Sequence, residues 1–338
     1  MRIMRRLELL LIPPLLLGAC RPIQPKESQS DLISPIHQTT EYIPTSTIYG
    51  QTPEPEIIFE NVTDENKPNP NPQFLRRHPK LCARIEEIGD SALATEMRMQ
   101  YIRAYMPISW IGDTESPQEK ALNEAVEQGM TPIFVFAPTE KIDNHLMQEK
   151  LNYILTKFPT TIIEILNEWD NEKHEFWKDR NPDTAAQFTA ETIQYLSTSY
   201  PDIRVILGAT VDPNNLEQML NRLKNVHNIN LSNLLIAGHA YNNEADITET
   251  GRITHEIMSR YGIPTGHYIL TELGVNQENQ YNLPYLTDLA LNGENSASGV
   301  CLHTIRVHPS SGPEEQSFEL LPVTRSAIAI YADTHIQP

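Results

Sequence analysis

From about residue 80 onward, short apolar runs alternate with segments in which apolar residues recur every three or four positions. Several runs are continuous, as in Ile133-Phe-Val-Phe136 and Val205-Ile-Leu207. Continuous apolar runs are typical of strands covered on both faces, as in parallel sheets. The pattern predicts eight strands: Cys82–Ile88, Gln100–Ile108, Pro132–Ala137, Thr161–Asn167, Arg204–Gly208, Leu234–Ala240, Tyr268–Leu273 and Ser298–Thr304.

The segments between these strands have helical spacing. Ser116-Pro-Gln-Glu119 is a capping box with proline at the first helical position, and it predicts a helix that ends at Gly129. Further predicted helices are Leu146–Phe158, Asp183–Ser199, Leu216–Leu223, Ile253–Tyr261 and Leu286–Leu291. Each predicted helix lies between two predicted strands.

Eight strands joined by crossover helices predict a (β/α)8 barrel, a fold of about 250 residues. An open doubly wound sheet is the alternative. The sequence has no Gly-x-Gly-x-x-Gly and no phosphate-binding loop motif at a strand–helix junction. Nucleotide-binding forms of the open sheet are therefore disfavoured.

The first 75 residues follow another pattern. A basic start precedes the apolar run Leu7–Leu17, which is too short to span a bilayer and is typical of an export signal. Leu17-Gly-Ala-Cys20 resembles the bacterial lipobox, in which the cysteine becomes the lipidated first residue. The following polar, proline-rich stretch is typical of a disordered tether. We therefore expect a signal peptide over 1–19, a linker over 20–75 and a barrel domain over 76–338. The predicted location is extracytoplasmic, lipid-anchored to the bacterial cell membrane or outer membrane.

Composition excludes several classes of protein. The chain carries 26 Lys and Arg against 44 Asp and Glu, a formal net charge of −18, which disfavours binding to nucleic acid. Three cysteines exclude a disulfide-dense scaffold and a four-cysteine zinc site. No metal-binding motif such as His-Glu-x-x-His occurs, so neither a metal nor a cofactor is expected. Cys82 and Cys301 lie on the first and last predicted strands, where a disulfide or two buried thiols are both possible.

Two strand ends carry a carboxylate in a setting that suggests catalysis. In a parallel barrel, functional groups gather at the carboxyl ends of the strands. Asn167-Glu168 ends the fourth predicted strand and Thr271-Glu272 lies at the end of the seventh, so the two glutamates can face each other across the barrel mouth. Opposed carboxylates are what glycosidic bond cleavage requires. One of them must be protonated, and we expect burial and the negative neighbour to raise its pKa.

These motifs resemble the clan A glycoside hydrolases, retaining (β/α)8 enzymes with catalytic glutamates on strands four and seven. His239-Ala-Tyr241, ending strand six, is similar to the His-x-Tyr pattern of the cellulase-like members. Arg103 on strand two resembles the arginine near their nucleophile. The resemblance covers roughly residues 80–335 and lies in motif order rather than in close overall similarity.

The resemblance implies a role for each matching residue. Glu168 would act first as the general acid and then as the base, and Glu272 would be the nucleophile. Asn167 would hydrogen-bond the sugar 2-hydroxyl, while Tyr241 and Arg103 would hold Glu272 ionised and oriented.

The chain departs from the family at strand eight. Family members often carry a tryptophan there as a platform for the sugar, whereas this sequence places His303 at that position. Trp169, directly after the proposed acid, is the best candidate for a stacking surface. Trp169, His239 and His303 thus join Arg103 and the other matched residues as candidate substrate contacts.

The sequence therefore predicts a monomeric, surface-anchored retaining glycoside hydrolase that cleaves β-linked oligo- or polysaccharide without a cofactor. The alternative is a catalytically inactive module that binds carbohydrate or another surface partner on the same scaffold. A structural lipoprotein without any sugar function is a third possibility.

Overall fold

The computed structural model describes residues 76–86, 88–138, 142–172, 181–303 and 319–335. All of them belong to the larger of two compact units, Pro53–Pro338. The predicted signal peptide, the predicted linker and Cys20 lie outside the described residues. Within the described ranges, every helix is too short or too polar to cross a bilayer.

Eight parallel strands form a closed barrel in which each strand pairs with the next along the chain. The last strand pairs back with the first, so that Leu81 lies beside Val300. An open doubly wound sheet would leave two unpaired edges, so the predicted (β/α)8 barrel is confirmed. The strands are β1 His78–Ile85, β2 Met99–Tyr105, β3 Thr131–Phe136, β4 Ile162–Ile165, β5 Val205–Leu207, β6 Leu235–Tyr241, β7 Tyr268–Gly274 and β8 Val300–Leu302.

Helices alternate with these strands. Among the described residues they are α1 Asp90–Glu96, α2 Pro117–Glu127, α3 Asn144–Lys157, α4 Pro182–Ser199, α5 Pro213–Asn225, α6 Glu244–Tyr261, α7 Leu283–Asn292 and α8 Pro322–His335. The predicted cap of α2 is confirmed, because Ser116 Oγ accepts a hydrogen bond from the Glu119 amide at 3.2 Å. The short α1 and the last helix α8 were not predicted. The first turns of α6 are polar, which explains why the prediction began at Ile253.

The barrel has an inner and an outer apolar layer. Every strand contributes a side chain to the inner cluster, which comprises Cys82, Tyr101, Ile133, Ile162, Ile206, Ala209, Leu235, Ala237, Ile269 and Cys301. The outer cluster fills the space between strands and helices and includes Ile163 and Ile165. Because both faces of each strand are covered, the strands show continuous apolar runs rather than a strict alternation.

A disulfide closes the barrel between its first and last strands. Cys82 on β1 and Cys301 on β8 are direct pairing partners, and their sulfur atoms are bonded, with the Cα atoms 4.1 Å apart. Both residues are buried in the inner layer. Of the two possibilities left open by the sequence, the structure contains the disulfide.

Candidate active site

The turn after β4 presents Asn167 and Glu168 at the carboxyl end of the barrel. Leu166 and Glu168 both have positive φ angles, 61° and 45°, which residues other than glycine rarely adopt. The Leu166 amide donates to the Phe136 carbonyl at 3.1 Å, and the Glu168 amide donates to the Ala209 carbonyl at 2.8 Å. The turn is therefore fixed to the strand ends on both sides. Such conformations cluster at functional sites because the surrounding structure must hold them.

Gly208, directly after β5, makes this turn possible. A Cβ atom at Gly208 would lie 1.7 Å from the carbonyl oxygen of Leu166, so no other residue fits without moving the turn. Gly208 was predicted only as the end of a strand, and this role was not predicted. An isolated glycine at a strand end was the available signal, since it often marks a close approach of two backbones.

Glu272 lies on β7 among groups that stabilise its ionised form. Arg103 Nη1 donates to its Oε1 at 2.7 Å, and the Tyr241 hydroxyl donates to its Oε2. His303 Nδ1 lies 3.0 Å from Oε2, and His239 Nε2 lies 3.7 Å from Oε1. Burial opposes ionisation of this carboxyl, but His239, His303 and Arg103 outweigh it and hold its pKa well below the ordinary value.

A second buried glutamate, Glu164, holds Arg103 in place. Arg103 Nε and Nη2 donate to the two carboxylate oxygens of Glu164 at 2.7 and 2.8 Å, and Nη2 also donates to Asn167 Oδ1 at 3.0 Å. The exposed fractions of the Arg103 and Glu164 side chains are only 3% and 0%. Glu164 was not predicted as a site residue, although a carboxylate inside the apolar strand Ile162–Ile165 requires a buried partner.

Glu168 is more exposed than Glu272: 12% of its side chain is accessible, against 7% for Glu272. Its Oε1 lies 2.7 Å from His239 Nδ1, and its Oε2 accepts a hydrogen bond from Asn171 Nδ2 at 2.7 Å. Burial raises the pKa of Glu168, but the hydrogen bond and the charge of His239 outweigh it, so the pKa is lowered. The predicted rise in the pKa of Glu168 was therefore wrong, because the sequence does not show that His239 lies against this carboxyl.

Glu168, His239 and Glu272 form one compact group. One oxygen of each glutamate and one nitrogen of His239 all lie within 4.8 Å of one another. These donor types also suit a metal ion. However, the histidine directs one ring nitrogen at each glutamate, and Arg103 and Tyr241 already bind Glu272. The arrangement is suited to proton transfer between two carboxylates in different environments.

Most of the other candidates lie in the same group, but Trp169 does not. His303 packs edge-on against Tyr241, with the ring centroids 5.6 Å apart, and Asn167 is bound by Arg103. Trp169 is only 2% exposed and packs in the outer apolar cluster. Its ring therefore has no free face on which a sugar could stack, and we do not retain it as a substrate contact.

Solved structures of other proteins share the fold of this chain, although its sequence matches no known family. No protein-family model matches the sequence, and no curated protein matches it significantly. Solved structures with a similar fold include a GH39 enzyme from Xanthomonas axonopodis pv. citri, with a TM-score of 0.57 and 14% identity, covering 76% of this chain and 66% of that one. An endo-β-1,4-glucanase from the same organism gives a TM-score of 0.53 and 10% identity, covering 78% and 100%. A psychrophilic family 10 endo-β-1,4-xylanase gives 0.51 and 11%, covering 74% and 96%. The chain thus has the barrel fold that these glycoside hydrolases share.

Proposed function

We propose that this protein is a retaining glycoside hydrolase that cleaves β-linked oligo- or polysaccharide by double displacement. The observation that carries the proposal is the pairing of Glu168 and Glu272, in which one oxygen of each carboxylate lies within 4.8 Å of the other. Retaining enzymes hold their two carboxyl groups about 5–5.5 Å apart, whereas inverting enzymes need about 6.5–9.5 Å to admit a water molecule. The separation here supports retention.

In the first step, a Glu272 oxygen attacks the anomeric carbon and the bond to the leaving oxygen breaks. Glu168 donates the proton that the leaving oxygen takes, and a glycosyl–Glu272 ester forms. In the second step, Glu168 removes a proton from water, whose oxygen attacks the anomeric carbon and releases Glu272. Arg103 and Tyr241 keep the leaving carboxylate of Glu272 stable in its ionised form.

The choice of a β-linked substrate rests on the structural neighbours. Two of them are described as enzymes acting on β-1,4-linked polymers, a glucanase and a xylanase.

We further propose that the enzyme works outside the cytoplasm, anchored by a lipid on Cys20. The basic start, the short apolar run and Leu17-Gly-Ala-Cys20 support this location. Replacing Cys20 with serine should release the protein from the membrane fraction. Unchanged membrane association of C20S would contradict the anchor without affecting the catalytic proposal.

A screen of β-glycans for release of reducing ends tests the reaction. We expect E168Q and E272Q each to lose activity by at least about 10³-fold. Azide should restore part of the turnover of E168A, measured as consumption of substrate, because this anion attacks the anomeric carbon of the glycosyl–Glu272 ester without a general base and releases Glu272 as a glycosyl azide forms. E278Q is a matched control, because Glu278 is exposed on the short 3₁₀ helix Gln277–Asn282 that follows β7. Binding of a glycan without any turnover by the wild-type protein would favour the inactive binding module instead.

A further inference from the structure

His239 lies between the two catalytic glutamates and contacts both of them. Its Nδ1 is 2.7 Å from Glu168 Oε1, and its Nε2 is 3.7 Å from Glu272 Oε1. Only 7% of its side chain is exposed. A carboxylate that is ionised only accepts hydrogen bonds, so the contact with Glu168 requires a proton on Nδ1.

The charges around His239 favour the imidazolium form. Among the described residues, the groups around it are Glu168 on the turn after β4, Glu272 on β7, Arg103 on β2 and Tyr241 on β6. His303, directly after β8, lies against Tyr241 and Glu272. Burial and Arg103 disfavour the positive charge, but the two glutamates outweigh them and raise the pKa of His239. Both directions favour a resting site in which the proton resides on His239 and Glu168 is ionised.

With the proton on His239, Glu168 cannot be a general acid that holds its own proton before the reaction begins. We propose that the proton delivered to the glycosidic oxygen is shared by His239 and Glu168, with His239 as the group that stores it and acts through Glu168. The inference rests on the proposed function and specifies where its proton comes from. His239 is a positioning and proton-storing residue, because Glu168 alone contacts the reacting atoms.

Over one catalytic cycle, His239 gives up one proton and regains one. The Nδ1 proton moves to Glu168 Oε1, which passes it to the leaving oxygen as the glycosidic bond breaks, leaving neutral His239 and ionised Glu168. In the second step, water gives a proton to Glu168, and this proton returns to Nδ1. Two groups that exchange one proton titrate as a pair, so the basic limb of the pH–rate profile belongs to both of them.

Removing His239 should shift the basic limb of the pH–rate profile, and the direction of the shift depends on whether Glu168 or His239 holds the proton. If Glu168 alone held the proton, removing the positive His239 would raise the pKa of Glu168 and move the basic limb upward. If the proton is stored on His239, removing the imidazole leaves Glu168 to hold it. Burial and Glu272 raise the pKa of this carboxyl, but they do so from an ordinary value of about 4.3, against about 6.5 for histidine. The basic limb then moves downward.

The test is the pH dependence of kcat/KM for H239N, in which the amide retains a donor near the position of Nδ1. We expect the basic limb to move to lower pH by about one unit or more, with activity retained at acidic pH. A limb that stays in place or moves upward would overturn the inference while leaving the glycosidase proposal intact. Y285F is a matched control, since Tyr285 is 54% exposed and its hydroxyl binds Glu244.

The protonation of His239 can also be measured directly in the wild-type protein, without substrate and without a substitution at His239. Nitrogen-15 NMR of the wild-type imidazole should show a protonated ring above pH 6.5, and E168Q should lower the pH at which it titrates. A ring that is neutral between pH 5 and 8 in the wild-type protein would overturn the inference. Failure of the whole β-glycan screen, with the imidazole titrating as expected, would instead reject the proposed function.

Discussion

Arg103 and Glu164 form a buried two-point ion pair, in which the Nε and Nη2 atoms of Arg103 donate to both carboxylate oxygens of Glu164. The third donor of the same guanidinium, Nη1, binds Glu272. Glu164 therefore fixes the plane of the group that orients the proposed nucleophile. Removing one partner of a buried ion pair leaves the other unpaired and costs about 3–5 kcal/mol.

We expect E164Q to lower kcat by about tenfold or more, because the neutral amide no longer holds Arg103 against Glu272. Its free energy of unfolding should also fall by about 3 kcal/mol, measured by urea denaturation. E119Q is the matched control, since Glu119 is equally buried but binds Lys157 and Tyr153 between α2 and α3. This variant should lose stability and keep its kcat. A loss of kcat as large as that of E164Q would show that stability, rather than the position of Arg103, is responsible.

Gly208 gives a second prediction. G208A should displace the Leu166 carbonyl and with it Asn167 and Glu168, so we expect kcat/KM to fall by about 10²-fold. G266A is a suitable control, because no atom lies within 4 Å of a Cβ added at Gly266. Enzyme assays on both variants check this. Wild-type activity in G208A would mean that the turn after β4 tolerates movement.

His78, at the start of β1 and far along the strand from the catalytic end, gives a prediction about stability and pH. Burial, followed by His335 and Lys80, lowers its pKa from 6.5 to about 4. The unfolded chain therefore binds more protons than the folded one between these values. Stability from this residue is complete above pH 6.5 and is lost as the pH falls toward 4.

The comparison of wild-type protein with H78Q isolates this contribution. As the pH is lowered from 7.5 to 4.5, the free energy of unfolding should fall more for the wild-type protein than for H78Q, because glutamine does not titrate. Urea denaturation at several pH values measures it. A difference that is constant with pH would show that His78 does not resist protonation in the folded protein.

The disulfide between Cys82 and Cys301 joins residues that are 219 positions apart along the chain. Loss of a native disulfide costs about 2–5 kcal/mol, so the double variant C82A/C301A should unfold at clearly lower urea concentration than the wild type. Thiol titration of the denatured, unreduced C20S protein checks the bond itself, because Cys20 is the remaining cysteine. Two reactive thiols in that sample would contradict the disulfide.

The strand order and most helices could be predicted because strands covered on both faces have continuous apolar runs. The same runs hid Glu164, because a single carboxylate in Ile162–Ile165 gives no hint of which cation meets it. Its partner, Arg103, lies 61 positions away along the chain on β2, and the two meet because β2 and β4 both pair with β3. The helix α6 was predicted too short, because its first turns are polar and held by the Asn243 cap rather than by apolar spacing.

The positions of the glutamates could be predicted from strand ends, but their protonation could not. The sign of the Glu168 pKa shift depends on His239 Nδ1 lying 2.7 Å away, which no linear pattern specifies. Trp169 failed as a stacking surface for a related reason. Its place in the sequence suggested the site, whereas the left-handed turn at Glu168 directs the indole into the outer apolar cluster.

In the proposed mechanism, Glu272 forms a covalent intermediate while Glu168 serves as acid and then base. Proton NMR of the first sugar released from a β-glycan, recorded before the anomers equilibrate, distinguishes this mechanism from single displacement. We expect the β-anomer to form first in the wild-type reaction and E272Q to release no sugar. Release of the α-anomer first would show single displacement by water and would contradict the role assigned to Glu272.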